Sequence, residues 1–243
     1  MKNSRIIASI ILSILFLSSC GKSGEEYFQL GIDKYNAGYY KDGITYFNKS
    51  LKLEPENVKA RFYLGMCYKK SGDIENALAE IRYANEINPN DFYIMYNLAD
   101  CCNALGQFDK AAIWARRSLA VKHDFMDSHL LLGISLYRLG QPDEAVKEFE
   151  FLTKLTQNDT KNSHIYEDAL FYLGTLYRQK GDLKASLEAI LKLNELNPQS
   201  ESYIYSLGLT YHAMNNIKET QAQLRKLENI NSTLAQKLKD KIK

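Results

Sequence analysis

The sequence predicts an all-α protein of about six helix–turn–helix repeats followed by a C-terminal capping helix. Ten of the 13 glycines among its 243 residues fall at two positions that recur mostly every 34 residues. A fixed period of this length indicates a repeat architecture. The first position holds Gly31, Gly65, Ala99, Gly133, Gly174 and Gly208, and the second holds Gly38, Gly72, Gly106, Gly140 and Gly181.

One repeat shows why each half should be helical. Leu64 and Tyr68 belong to an apolar pattern with helical spacing, and Gly72 interrupts that pattern. Asp73 is a favourable N-cap residue for a second helix, and Pro89 follows the end of that helix. The pattern therefore predicts two helices joined by a short turn.

We place the repeats at 24–57, 58–91, 92–125, 126–159, 167–200 and 201–234, so the array covers 24–234. In the sixth repeat, Asn215 and Thr220 replace the usual glycine and alanine. A closing helix runs from Ser232 towards Lys243, and 235–243 is its end. The insertion at 160–166 either lengthens a turn or extends the next helix by nearly two turns. We favour the extension, because Tyr166 and Leu170 continue the apolar stripe.

These repeats resemble the tetratricopeptide repeat (TPR) family. The matching residues in the second repeat are Leu64, Gly65, Tyr68, Gly72, Ala77, Ala84 and Pro89. The resemblance implies a right-handed superhelical solenoid whose first helices line a concave groove and whose second helices lie on the convex face.

By this resemblance, equivalent positions of the first helices form a groove for an extended peptide or a partner helix. The predicted groove residues are Phe28, Ile32, Phe62, Met66, Lys69, Tyr96, Leu130, Ile134, Arg138, Phe171, Arg178 and Tyr205. The alternative is that the aromatic members only pack against neighbouring helices. Lys69, Arg138 and Arg178 could bind a carboxylate or could simply be solvated.

The N-terminus resembles a bacterial lipoprotein signal. Lys2 and Arg5 precede an apolar run over 6–16, which is too short to span a bilayer. Leu-Ser-Ser-Cys then resembles the lipobox, which implies cleavage after residue 19 and lipid on Cys20. Residues 20–23 would form a short tether, and Gly21 in place of aspartate favours the outer membrane. An ordinary or uncleaved signal is the alternative.

Several other classes of site or function are disfavoured. Gly-Lys-Ser at 21–23 lacks the earlier glycine of a phosphate-binding loop. Residues 20–243 contain 29 Lys plus Arg and 29 Asp plus Glu, so no basic excess points to nucleic acid. The chain shows no nucleophile–base arrangement of an enzyme, and it indicates no cofactor apart from the covalent lipid.

The remaining cysteines and the histidines fit structural roles better than chemical ones. Cys67 and Cys101 occupy equivalent positions in successive repeats, about 10 Å apart, which is too far for a disulfide. We expect them and Cys102 to be small buried residues. His123 and His129 lack the helical i, i+4 pairing of a zinc site.

The sequence as a whole predicts a membrane-anchored TPR lipoprotein that acts as a protein–protein interaction scaffold or assembly adaptor in the bacterial envelope. Similar layouts occur in pilus-assembly and outer-membrane-protein-assembly lipoproteins. The partners would be envelope proteins bound through a peptide or helix. The alternatives are a recruiter of envelope proteases or wall hydrolases, and an enzyme or peptide-binding receptor.

Overall fold

The all-α prediction is confirmed by a computed structural model that describes residues 22–157 and 159–242. These residues form thirteen α-helices and one 3-10 turn, without a β-strand. Residues 1–19 and Cys20, where the lipoprotein signal is predicted, lie outside the described residues. The helices are α1 (Gly24–Asn36), α2 (Tyr40–Leu53), α3 (Val58–Lys70), α4 (Ile74–Ile87), α5 (Phe92–Ala104), α6 (Phe108–Val121), α7 (Met126–Arg138), α8 (Pro142–Thr156), α9 (Ser163–Lys180), α10 (Leu183–Leu196), α11 (Glu201–Ala213), α12 (Ile217–Asn229) and α13 (Thr233–Lys241).

The odd-numbered helices α1 to α11 are the first helices of their repeats, and the even-numbered helices α2 to α12 are the second helices. Each first helix packs against the second helix that follows it. Short connections make the two helices of a pair antiparallel. The chain divides into an N-terminal segment, Met1–Pro89, and a C-terminal segment, Asn90–Lys243.

The N-terminal segment contains α1 to α4 and has its own apolar core. Phe28 of α1, Phe47 of α2 and Leu64 of α3 are buried in one cluster. The ring of Phe47 lies where a methyl group on Gly31 would stand, because an added Cβ would come within 2.5 Å of Phe47 Cε1. The repeat glycine therefore lets α1 and α2 approach closely.

The C-terminal segment contains α5 to α13 and a larger core. Its fully buried side chains include Leu136, Phe149, Leu176 and Ile190. The closing helix α13 adds Leu238, which packs in a cluster with Ile204 and Leu227. Burial of these side chains is the main source of stability, at roughly 1.5–3 kcal/mol each.

The turns inside the repeats use the left-handed conformation. Five glycines at the second repeat position have φ between 70° and 85°. In the sixth repeat Asn215 takes this place with φ 56°, which asparagine tolerates better than most residues. Thr220 is buried there, and its hydroxyl donates to the Asn216 carbonyl at 2.8 Å. These two replacements are thus compatible with a complete α12.

The insertion extends a helix, but by less than predicted. Thr160–Asn162 form a 3-10 turn, and α9 begins at Ser163. The other first helices begin seven residues before the first repeat position, whereas α9 begins eleven before Gly174. The extension is therefore about one turn, not nearly two. Asp159 explains why the helix starts no earlier. Its carboxylate accepts hydrogen bonds from the backbone N–H of Lys161 and the side-chain amide of Asn162, which favours the 3-10 turn over a further turn of α-helix.

The cysteines of the described residues are packing groups. Cys67, Cys101 and Cys102 are buried and none of them forms a disulfide, which confirms the prediction for all three. Burial raises the pKa of Cys67 to about 11, so this thiol is unreactive at neutral pH. No helix within residues 22–157 and 159–242 combines the length and apolarity that a membrane span requires.

Candidate protein-binding face of the first helices

Seven of the predicted groove residues lie in the C-terminal segment, on consecutive first helices that contact one another. We call them the first-helix face: Tyr96 on α5, Leu130, Ile134 and Arg138 on α7, Phe171 and Arg178 on α9, and Tyr205 on α11. All except the exposed Arg138 are partly buried. Each of these side chains therefore packs partly against its neighbours and leaves part of its apolar surface accessible to a partner.

Tyr96 is held from two sides. Its ring stacks on Tyr93 with centroids 5.9 Å apart, and Phe125 meets it edge-on at 5.3 Å. Burial, together with the nearby charges of Asp100 and Asp127, raises the pKa of Tyr96 well above its ordinary value. The hydroxyl therefore remains a neutral group that can donate a hydrogen bond to a partner.

Phe171 is held in a similar way on α9. Its ring lies 6.1 Å from that of Tyr172 and 6.4 Å from that of Tyr203. The Tyr203 hydroxyl donates to Glu167 at 2.9 Å, which ties α11 to α9. Leu130 and Ile134 pack along the same core from α7. An aromatic or aliphatic side chain of a partner would thus meet a rigid surface.

The two arginines of the face differ. The Arg138 guanidinium lies 4.7 Å from the Phe108 ring centroid, and the side chain is exposed. Arg178 is partly buried, and burial lowers its pKa. Its Nη1 donates to the Thr210 hydroxyl at 3.5 Å, and no described carboxylate pairs with it. A partly desolvated guanidinium with unused donors is a good receptor for a carboxylate.

Three of the five predicted groove residues of the N-terminal segment are more deeply buried than those of the first-helix face. Phe28, Phe62 and Met66 are 7%, 9% and 7% exposed, whereas Ile32 and Lys69 keep intermediate exposure. Phe28 packs against Phe47 at 5.9 Å and belongs to the core of this segment. For Phe28 the structure therefore agrees with the packing alternative. A partner-binding role for the five residues stays a prediction.

Tyr137 is a member of the face that the sequence argument missed. It stands four residues after Gly133, the place that Arg178 occupies after Gly174. Its ring meets Tyr172 edge-on at 5.6 Å, and its hydroxyl accepts from the Gln179 amide at 3.5 Å. The repeat spacing alone would have identified it.

His129 forms an ion pair next to the connection between α6 and α7. Its Nδ1 lies 2.7 Å from a Glu148 carboxylate oxygen, and its Nε2 lies 2.9 Å from the His123 carbonyl oxygen. Both neighbours accept hydrogen bonds, so only the doubly protonated ring satisfies both contacts. No group of three or more potential metal ligands occurs among the described residues. His129 thus acts as a charged link between a turn, α7 and α8.

We predict that His129 titrates above the ordinary histidine pKa of about 6.5. Burial opposes protonation, but the hydrogen bonds to Glu148 and His123 and the Glu148 charge outweigh it and raise the pKa. The stabilisation is complete below pH about 6.5 and is lost as the pH rises through the folded-state pKa. An NMR titration of the imidazole protons measures this pKa, and Glu148→Gln should lower it. A wild-type value below 6.5 would contradict the ion pair.

Comparison with known proteins finds TPR sequences and structures. Residues 36–113 match the family model "Anaphase-promoting complex, cyclosome, subunit 3", and residues 130–201 match "Tetratricopeptide repeat". The chain is 23% identical over 232 residues to "Superkiller complex protein 3" of Mus musculus, covering 94% of this chain and 14% of that one. It is 27% identical over 112 residues to "Superkiller protein 3" of Schizosaccharomyces pombe, covering 46% and 8%. The chain therefore spans only a small part of these curated relatives.

Solved structures share the fold at low identity. A tetratricopeptide repeat protein from Parabacteroides merdae superposes with a TM-score of 0.75 at 18% identity, covering 91% of this chain and 86% of that one. Pseudomonas aeruginosa pilF gives 0.72 at 13%, covering 90% and 97%. YrrB, described as a TPR protein with an unusual peptide-binding site, gives 0.66 at 21%, covering 80% and 97%. The helix pairs, the family models and these structures agree: the chain belongs to the tetratricopeptide repeat family.

Proposed function

We propose that the protein is a membrane-anchored TPR lipoprotein that acts as a protein–protein interaction scaffold or assembly adaptor in the bacterial cell envelope. The TPR fold supports the scaffold role, because stacked helix pairs present extended surfaces for partners. YrrB, a structural neighbour, is itself described as having a peptide-binding site. The recruitment of envelope proteases or wall hydrolases would be one use of the same scaffold.

The partly buried Arg178 in the first-helix face is the observation that carries the binding proposal. Tyr137 on α7 and Tyr205 on α11 lie near it on the neighbouring first helices, and Phe171 adds aromatic surface two turns earlier on α9 itself. Rigid aromatics and arginine are the residue types that dominate protein-binding energies. The matching partner is a peptide or helix with apolar side chains and a carboxylate that pairs with Arg178.

The sequence around Cys20 supports the lipid anchor, and the start of the first helix bears on how far that anchor would lie from the repeats. Ser23 caps α1 through a reciprocal pair of hydrogen bonds with Glu26. The Ser23 backbone N–H donates to the Glu26 carboxylate, and the Glu26 backbone N–H donates to the Ser23 hydroxyl. Only Gly21 and Lys22 then separate Cys20 from the cap. At roughly 3.5 Å per residue, the first repeat would lie close to the membrane. We propose that this membrane is the outer membrane, because Gly21 follows Cys20 in place of aspartate.

We expect Tyr96→Ala combined with Tyr205→Ala to reduce partner capture at least tenfold. Each removes a partly exposed aromatic side chain from the face, and such anchors commonly contribute 1–2 kcal/mol or more to binding. The measurement is quantitative recovery of crosslinked partners from cells that express the full chain. Helical circular dichroism should stay near that of the wild type.

The matched control for the double variant is Ile113→Ala. Ile113 is 50% exposed and lies on the second helix α6, away from the proposed face. It should leave capture unchanged. Equal loss in the control, or full capture by the double variant, would overturn the assignment of binding to the first-helix face.

A further inference from the structure

His129 forms, with a titratable ring, an arrangement that an arginine forms two repeat periods earlier. In the second repeat, Arg61 donates to a Glu80 carboxylate oxygen at 3.0 Å and to the Pro55 carbonyl oxygen at 3.3 Å. Its guanidinium also lies 4.2 Å from the centroid of the Tyr83 ring. An arginine side chain stays charged in proteins, so this link between a turn and two helices is permanent.

The fourth repeat has the same four positions with different chemistry. His129 meets the Glu148 carboxylate at 2.7 Å, the His123 carbonyl oxygen at 2.9 Å and the Phe151 ring at 4.5 Å between centroids. His123 replaces the proline that restricts the backbone in the second repeat, and α7 begins without the side-chain cap that Asn57 gives α3. The connection between α6 and α7 therefore depends strongly on a group that can lose its charge.

Several charged groups belong to the elements around His129, and of those described only Glu148 forms an ion pair with it. Arg116 of α6 pairs with Glu144 of α8 at 2.6 Å, so these two charges offset each other. The other titratable groups next to His129 along these elements are Lys122, His123 and Asp124 in the connection, Asp127 on α7 and Lys147 on α8.

Deprotonation of His129 would break the link on the side of the connection. A neutral ring keeps one N–H, and the hydrogen bond to the charged Glu148 carboxylate is the stronger of the two. The proton therefore stays on Nδ1, and Nε2 becomes an acceptor that faces the His123 carbonyl oxygen at 2.9 Å. Two acceptors at this distance repel each other, so the connection loses its attachment to α7.

Phe125 joins this connection to the first-helix face. Its ring meets Tyr96 edge-on at 5.3 Å and Phe92 at 5.1 Å. The hydrogen bond from the Phe125 backbone N–H to the Lys122 carbonyl is 3.3 Å long, so it holds the connection only weakly. Release of the His123 carbonyl would therefore loosen Phe125 and the Tyr96 ring that packs on it.

We propose that His129 is a pH switch for the first-helix face: the protonated ring holds Phe125 and Tyr96 in the binding arrangement, and the neutral ring releases them. This inference rests on the proposed function, because it requires partners to bind that face. Partner affinity should be highest while the ring is protonated and should fall as the pH rises through the folded-state pKa. We expect a loss of about fivefold, the factor that one net hydrogen bond contributes.

A fluorine label on Phe125 tests the switch without a partner. With para-fluorophenylalanine at position 125 of the full chain, the fluorine resonance should titrate between about pH 6 and about pH 9, with the same midpoint as the His129 imidazole protons. Glu148→Gln should lower both midpoints together. His129→Arg should abolish the titration, because arginine keeps the charged link that Arg61 forms in the second repeat.

The matched control for the label is His123→Gln. It removes a neighbouring imidazole but keeps the backbone carbonyl that His129 contacts, so the titration of the Phe125 resonance should persist. A resonance that does not titrate in the otherwise unchanged chain, or that still titrates in His129→Arg, would overturn the switch.

Crosslinking from Tyr205 tests the effect on partners. Lysates of cells that express the full chain with a photo-crosslinking amino acid at this position would be illuminated at about pH 6 and about pH 9. The yield of partner products should fall about fivefold with pH, and in His129→Arg it should stay at its low-pH level. An equal fall in both would assign the titration to the partner and overturn the proposal.

The two measurements separate this proposal from the proposed function. A Phe125 resonance that ignores His129 would overturn the switch and leave binding to the first-helix face intact. Absence of partner products at both pH values, with the Phe125 response intact, would overturn the proposed function and the pH control of binding together.

Discussion

Cys20→Ser should remove the protein from the membrane fraction and abolish its labelling by palmitate. Serine lacks the thiol that the lipid modification requires. The apolar run at 6–16 is too short to hold the chain across a bilayer on its own. Two or more acyl chains anchor a protein stably, and loss of all of them should leave it in the soluble fraction. Fractionation of cells grown with labelled palmitate measures both effects.

Cys67→Ser is the matched control for this substitution. Cys67 is fully buried in the core of the N-terminal segment, so it is not a site for acylation. This variant should keep its label and its membrane location. Unchanged labelling of Cys20→Ser would contradict the lipoprotein assignment, and loss of label in Cys67→Ser would show that labelling depends on folding instead of on one thiol.

Phe149→Ala should lower the free energy of unfolding by about 3–5 kcal/mol, the usual range for a buried phenylalanine. Phe149 is fully buried on α8, and its ring stacks on Tyr172 with centroids 5.0 Å apart. Gly133 makes room for it, because a Cβ there would lie 2.7 Å from the ring. Urea titration followed by circular dichroism measures the loss. Trp114, the only tryptophan, reports on the C-terminal segment by fluorescence.

Phe151→Ala provides the comparison two residues further along the same helix. Phe151 is 42% exposed, so its removal should cost less than about 1 kcal/mol. Both variants replace phenylalanine by alanine on the same helix, so the difference between their losses of unfolding free energy measures the effect of burial. Similar losses in both would contradict the placement of Phe149 in the core.

The sequence predicted the helices well because each repeat carries the same local signals. Glycine at most turns and an apolar stripe act within a few residues and recur mostly every 34, and several helices begin with a side-chain cap such as Asp73. The insertion was harder to predict, because an apolar stripe continues through Tyr166 whether the preceding residues form a 3-10 turn or an α-helix. The capping of that turn by Asp159 determined the length of the extension.

The site could be predicted only in part, because exposure depends on residues far apart in the sequence. Phe28 and Tyr96 occupy the same repeat position, but Phe28 is enclosed by Phe47 and Tyr63 whereas Tyr96 stays partly exposed. The ion pair of His129 likewise depends on Glu148, 19 residues away. Periodicity identifies which residues share a position, but the arrangement of their neighbours in the folded chain determines which remain accessible.

The central claim is that partners bind the first-helix face, and crosslinking in cells tests it most directly. Photo-crosslinking amino acids would be placed singly at Leu130 and Tyr205 on first helices and at Ile113 on a second helix. We predict products with other envelope proteins from Leu130 and Tyr205, and few from Ile113. Partner products from Ile113 with none from Leu130 or Tyr205 would contradict the account.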